Sequence, residues 1–208
     1  MVNFMKKIMI LGVIGIVTLV LNGGYAAEVP HQLAGFVLGG EMNDYKDLLK
    51  LDTILPIRYF KTLKEVEIKD LEGFKTGLIT FGTCSEPWKI VRFKFKYTEF
   101  SKKFYNKLLK RFKKQFGEPN EWRGDPFHIV LAWKWSFTDK DNNRISLILQ
   151  HNTRDQEEKQ GNSVKMTMWN LIEKETLCYE KKRAEAVKKS PKTGRKSKKI
   201  DWNILIPR

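Results

Sequence analysis

Two hydrophobic periods alternate along this 208-residue chain. In residues 101–116 (SKKFYNKLLKRFKKQF), Phe104, Tyr105, Leu108, Leu109, Phe112 and Phe116 recur at spacings of one, three and four. That is one apolar stripe of a 3.6-residue period, and it predicts a helix. Ser101 stands at the N-cap position, Gly117 where a left-handed C-terminal residue belongs, and Pro119 where the helix cannot continue. The outer face carries Lys102, Lys103, Lys107, Lys110, Arg111, Lys113 and Lys114. Such a face is read as solvated, with polyanion binding as the alternative.

Elsewhere the period is two. Phe127, Ile129, Leu131, Trp133, Trp135 and Phe137 share one parity, while His128, Lys134 and Ser136 hold the other. Residues 139–143 read as a turn, and Ile145, Leu147 and Leu149 resume the alternation over 144–151, which predicts a hairpin with one wet face. Over 89–97, Val91, Phe93, Phe95 and Tyr97 face one way and Arg92, Lys94 and Lys96 the other. Val164, Met166 and Met168 mark a further strand, and 64–69 and 77–83 are shorter candidates. Consecutive alternating strands with short turns predict an α+β fold, an antiparallel sheet with helices packed on one face.

An internal echo bears on organisation. Tyr45-Lys46-Asp47-Leu48-Leu49-Lys50 and Tyr105-Asn106-Lys107-Leu108-Leu109-Lys110 share YxxLLK, each opening a helix-like stretch followed by strands. Chance and duplication both fit four identities in six positions; duplication would make two tandem helix-then-sheet units, 35–98 and 100–172. The segment Gly35-Phe36-Val37-Leu38-Gly39, followed by a short helix and strands, resembles small exported bacterial domains of the β-lactamase-inhibitor-like kind. The small outer-membrane-assembly lipoproteins share that kind of fold, and the helix exit Phe116-Gly117-Glu118-Pro119 is similar to theirs. The resemblance implies a binding or scaffolding role and carries over no functional residues. No cysteine follows the apolar N-terminal run, a departure from the lipoprotein members.

That run, Ile8 to Leu21, follows Lys6 and Lys7 and precedes Gly24-Tyr25-Ala26. Charge, apolar segment and small residues in this order predict a cleavable signal peptide over 1–26. At 14 residues the run is shorter than the about 20 that a membrane span needs. Residues 27–180 are expected to form the α+β domain of a periplasmic or secreted protein. Net charge is +15, but residues 181–208 hold 11 Lys/Arg against Glu185 and Asp201, so the basicity belongs to a C-terminal extension. Residues 190–199 (SPKTGRKSKK) have no apolar side chain to bury and read as disordered, while Glu173 to Lys189 read as a helix with Leu177, Cys178 and Val187 as its apolar contacts. Trp202, Ile204, Leu205 and Ile206 close the chain on an apolar note, either a docking segment or a frayed terminus.

Cys84 and Cys178 form an even pair, which in an exported protein points to a disulfide; two buried thiols are the alternative. No nucleophile elbow, phosphate loop, HExxH or paired metal-ligand spacing occurs, so no catalytic residue, metal or cofactor is assigned. His128 and His151 fall on opposite strand parities near Asp125 and read as solvent-facing or satisfied side chains. Trp133 and Trp135 read as core, Trp88 and Trp122 as turn neighbours; aromatics among cations are able to stack on bases, but no ribonucleoprotein-type motif accompanies them, which argues against nucleic acid. The leading expectation is a non-catalytic module binding another envelope protein. The alternative is an electrostatic binder of anionic envelope polymer or lipid. It would use Lys188, Lys189, Lys192, Arg195, Lys196, Lys198 and Lys199 together with the Lys-rich helix. An enzyme is the third reading.

Overall fold

The structure is a computed structural model that describes residues 29–153 and 161–189. Residues 1–26, expected to be a signal peptide, the spacer 190–199 and the apolar stretch 200–208 lie outside the described residues. Ten strands form in chain order: β1 (Gln32–Leu33), β2 (Phe36–Val37), β3 (Leu49–Ile57), β4 (Phe60–Ile68), β5 (Phe74–Gly82), β6 (Ile90–Tyr97), β7 (Glu121–Trp122), β8 (Val130–Thr138), β9 (Arg144–Asn152) and β10 (Gly161–Met168). A 3₁₀ helix, Met42–Leu48, precedes β3; helix α1 (Lys102–Phe116) precedes β7, and helix α2 (Trp169–Lys189) follows β10. β1 and β2 make a small hairpin that lays Phe36 into the core.

The other eight strands form one antiparallel sheet in the order β3-β4-β5-β6-β10-β9-β8-β7. This order is a palindrome. Each half is a helix followed by a four-stranded meander, and the halves join through their last strands, β6 and β10, in register from Ser163↔Lys96 to Thr167↔Arg92. The architecture is therefore α+β with two tandem helix-then-sheet units. The two YxxLLK segments differ in length of helix. Around Tyr105 it runs the full 15 residues of α1, whereas around Tyr45 it stops at Leu48, and Leu49 and Lys50 are already in β3. No 3.6-residue stripe follows Lys50. Instead Thr53 and Ile54 favour an extended chain, and Pro56 is tolerated because β3 is an edge strand.

α1 covers one side of the sheet. Ser101 accepts a hydrogen bond from the Phe104 N–H at 3.2 Å, and Gly117 ends the helix at φ 77°. The stripe predicted for this helix packs inward: Tyr105 is buried, Phe112 lies 5.9 Å from Trp135 and Phe116 lies 5.8 Å from Phe137. Beneath it Phe93, Phe95, Trp135, Leu147, Leu149, Val164 and Met166 are almost wholly removed from water, all on the parity predicted to face in. Several strand boundaries differ: β4 and β5 begin at Phe60 and Phe74, ahead of the expected 64–69 and 77–83, and β8 begins later than expected. β8 begins at Val130, and Phe127 is 82% exposed, because the Asp125 carboxylate accepts the Phe127 and Val130 N–H groups and holds 125–130 as a turn with His128 at φ 55°.

α2 closes the end of the sheet from which β10 exits. Its apolar anchors are Leu171 and Ile172, which precede the segment expected to be helical. Leu177 and Val187, expected as contacts, are 64% and 67% exposed; anchoring at the first turn lets the helix run out into solvent beyond Cys178. Three ties hold α2 to the β5–β6 loop, one of them an ion pair of Lys174 with Glu86 at 2.5 Å. Cys84 and Cys178 are joined by a disulfide with a sequence separation of 94. On the chain-entropy account a loop of this size stabilises by about 4–5 kcal/mol. One helical turn earlier, the buried Glu175 carboxylate accepts four backbone N–H groups: Thr83 at 3.1 Å and Cys84 at 2.8 Å on Oε2, Ser85 at 2.8 Å and Glu86 at 3.0 Å on Oε1. Gly82 makes room for it, since a Cβ there would stand 2.6 Å from the carboxylate.

Removing that carboxylate leaves four part-buried N–H groups without their acceptor. Glu175→Ala is expected to lower unfolding free energy by about 3 kcal/mol with the disulfide intact. Urea denaturation of the oxidised protein measures it, and a loss below about 1 kcal/mol would contradict the assignment.

Candidate binding face

The strand parity that buries Phe93 and Phe95 sends Arg92, Lys94 and Lys96 to the opposite face. Neither the 3₁₀ helix nor α1 lies over that face. Register brings the two halves together across it. One row reads Glu67, Leu78, Lys94, Lys165, Ile148, Lys134 and Glu121 from β4 to β7. A second reads Glu65, Thr80, Arg92, Thr167, Ser146 and Ser136. Small hydroxyl side chains make the floor: Thr80, Ser146, Ser163 and Thr167 are all buried, and Arg92 Nε lies 3.3 Å from the Thr167 hydroxyl.

A depression of about 230 Å³ opens at the centre, over the β6–β10 seam. Its rim includes Arg92, Lys94 and Lys165, with Leu78 and Ile148 as apolar walls. Charges within it are arranged by strand pairing alone. Lys94 and Lys165 are directly opposite one another. Like charges so placed repel. Burial pushes the Lys165 ammonium below its ordinary value, and the neighbouring Arg92, Lys94, Arg123 and Lys134 push it further the same way. Burial also lowers Arg92, partly offset by Glu65. At the β7 border, Glu121 binds Arg123 at 2.9 Å and Lys134 at 3.2 Å. The Lys134 hydrogen bond is the main reason its carboxyl stays below the usual carboxylate range.

The residues singled out from the sequence are distributed elsewhere. Lys188 is exposed on the last turn of α2 and Lys189 ends that helix, while Lys192, Arg195, Lys196, Lys198 and Lys199 lie outside the described residues. The exposed Lys102, Lys103, Lys107, Lys110, Arg111 and Lys114 sit on the outside of α1, across the molecule from the open face. Asp125 is taken up by its turn, the Val130 N–H being the main cause of its lowered pKa. His128 is exposed on that turn, 6.0 Å from the Trp122 ring. Sequence parity alone pointed to Arg92, Lys94 and Lys96 as outward; their convergence with Lys165 and Lys134 follows only from register.

His151 is buried on the covered side, stacked 5.5 Å from the Tyr105 ring. Its Nδ1 bonds the Asn162 side chain at 2.9 Å, and Asn162 Nδ2 in turn donates to the Glu99 and Ser101 carbonyls at 2.8 and 3.1 Å, tying the start of α1 to β10. Its Nε2 and the Tyr105 hydroxyl are buried without a hydrogen-bond partner, and burial pushes Tyr105 up to about 12. Among the described residues no three His, Cys, Asp or Glu side chains are grouped to hold a metal ion, and no helix is long and apolar enough to cross a membrane.

No family model, curated protein or solved structure matches this chain.

Burial lowers the His151 pKa below its ordinary 6.5; the Asn162 bond opposes this and Lys102 adds to it. The folded state therefore binds the proton less readily than the unfolded chain. His151 contributes stability that is fully present above pH 6.5 and is lost as pH falls through its lowered folded value. His151→Gln is able to keep the Asn162 hydrogen bond and removes the titration. Tm measured from about pH 7 to pH 5 is expected to fall more steeply for the wild type than for this variant, and equal slopes would contradict it.

Proposed function

We propose that this is a non-catalytic, exported binding module that holds another envelope protein on the open face of its sheet. The observation that carries the reading is the sheet face that, among the described residues, is touched by helix only where Trp169 of α2 donates to Ser146, and that has a cationic centre and a floor of small polar side chains. Seven strands of eight or nine residues, about 4.8 Å apart and about 26 Å long, with the two-residue β7 at the border, present roughly 850 Å². A standard interface takes about 800 Å² from each partner, so the face is of sufficient size for a specific protein contact. Export rests on the N-terminal signal pattern and fits the Cys84–Cys178 disulfide, which an oxidising compartment maintains. The binding role also accords with the resemblance to β-lactamase-inhibitor-like and outer-membrane-assembly domains.

The exposed lysines of α1 favour a second reading, electrostatic binding of anionic polymer or lipid by that helix with the basic extension. The two readings place the contact on opposite sides of the molecule. Crosslinked capture from an envelope fraction separates them when wild type is compared with two full-length variants. Ser136→Arg with Gln150→Arg adds bulk and charge to the open face while leaving Lys94 and Lys165 in place. Changing Lys192, Arg195, Lys196, Lys198 and Lys199 to Gln removes five of the eleven cations of the extension. The face variant is expected to lower capture about tenfold and the extension variant to leave it unchanged. Loss in the extension variant alone, with steep weakening as salt rises from about 0.1 to 1 M, would select the polymer reading.

A further inference from the structure

The centre of the open face carries a charge arrangement that folding does not require. Lys94 and Lys165 stand opposite each other across the β6–β10 seam, where apolar or oppositely charged residues would stabilise the pairing. Among the described residues neither forms an ion pair, and the charged groups acting on Lys165 are all cationic. Glu65 interacts with Arg92, and Glu121 is engaged by Arg123 and Lys134. Three cations, Arg92, Lys94 and Lys165, against the one carboxylate of Glu65 leave the shallow depression they line net positive. Leu78 flanks Lys94 and Ile148 flanks Lys165 in the same row, with the Thr80 and Ser163 hydroxyls beside them.

We propose that the depression bordered by Arg92, Lys94 and Lys165 seats a short acidic segment of a partner protein, one or two carboxylates flanked by apolar side chains. This rests on reading the open face as a protein-binding surface and names the chemistry that surface selects. The pattern of the face decides between a protein segment and a polyanion. Glu67 on β4 and Glu121 on β7 border the cationic centre, about 29 Å apart at ordinary strand spacing. An extended polyanion crossing the sheet runs past the three cations onto both of those carboxylates, already paired with Lys50 and with Arg123 and Lys134, whereas a compact acidic segment stays among the cations and meets only Glu65, which acts on Arg92. The apolar walls match side chains on either side of a carboxylate and offer nothing to a uniformly charged polymer. Arg92 supplies a planar fork for a carboxylate and Lys94 and Lys165 supply point charges.

The test uses the full mature chain, isotope-labelled for NMR, with two probe peptides at low salt: acetyl-Leu-Glu-Glu-Leu-amide and its Gln-Gln analogue. The acidic peptide is expected to shift the signals of Thr80, Lys94, Ser163 and Lys165 and to bind at least about tenfold more tightly than the analogue. Lys165→Met removes the like-charge contact. It is expected to lose that preference while melting at a higher temperature than the wild type, so loss of binding is separable from loss of fold. Lys94→Gln is expected to behave in the same direction. Equal binding of the two peptides, or shifts confined to α1, would overturn the proposal. So would a long polyphosphate that binds more tightly than the peptide with the same dependence on Lys165. If partner capture is lost in the Ser136→Arg/Gln150→Arg variant but unchanged in Lys165→Met, the acidic anchor is wrong and the protein-binding face stands. If no face variant alters capture, the underlying reading fails.

Discussion

Pairing of β6 with β10 is the constraint on which the rest of the molecule depends. It joins two meanders that are otherwise separate sheets, and it brings together residues such as Phe95 and Val164, far apart in the chain. Closing so long a loop costs entropy that local hydrogen bonding does not return. Burial offsets that cost, since Phe93, Phe95, Val164 and Met166 are almost free of water on the covered side of the seam. A second connection crosses the same boundary. α2 leaves β10 in the second half and is fastened to the β5–β6 loop of the first, covalently through Cys84–Cys178 and by four hydrogen bonds to Glu175.

The same seam creates the cationic face. A strand that turns Phe93 and Phe95 inward turns Arg92, Lys94 and Lys96 outward, and its partner turns Lys165 outward beside them. Packing beneath the sheet and charge above it are therefore two sides of one register. The repulsion between Lys94 and Lys165 amounts to a few tenths of a kcal/mol up to about 1 kcal/mol. The buried aromatic and aliphatic side chains below exceed this several times over. A fold so anchored tolerates a cationic centre.

Much of this was legible in the chain. Period-two alternation located the central strands, and the stripe from Phe104 to Phe116 with Ser101 and Gly117 located α1, because those patterns are local. The YxxLLK echo anticipated the tandem arrangement, although the first copy yields to β3 where no helical stripe continues beyond Lys50. Features made by distant partners were not legible. Glu175 reads as a surface residue of a charged helix until the 83–86 loop folds over it. Phe127 reads as strand until Asp125 closes its turn. The cationic centre needs the register of four strands, and one strand's pattern shows only which way a lysine points. Leu171 and Ile172 were missed as anchors because the charged stretch after them drew the expected start of α2 four residues too late.

Native-state hydrogen exchange tests the seam most directly. If β6–β10 pairing holds the two halves as one cooperative sheet, the slowest amides of β6 and β10 exchange together at the rate of global unfolding, and those of β5 and β9 on either side exchange no more slowly. Exchange in which β3–β6 and β7–β10 open independently, with the seam amides faster than the interiors of the two meanders, would contradict the account.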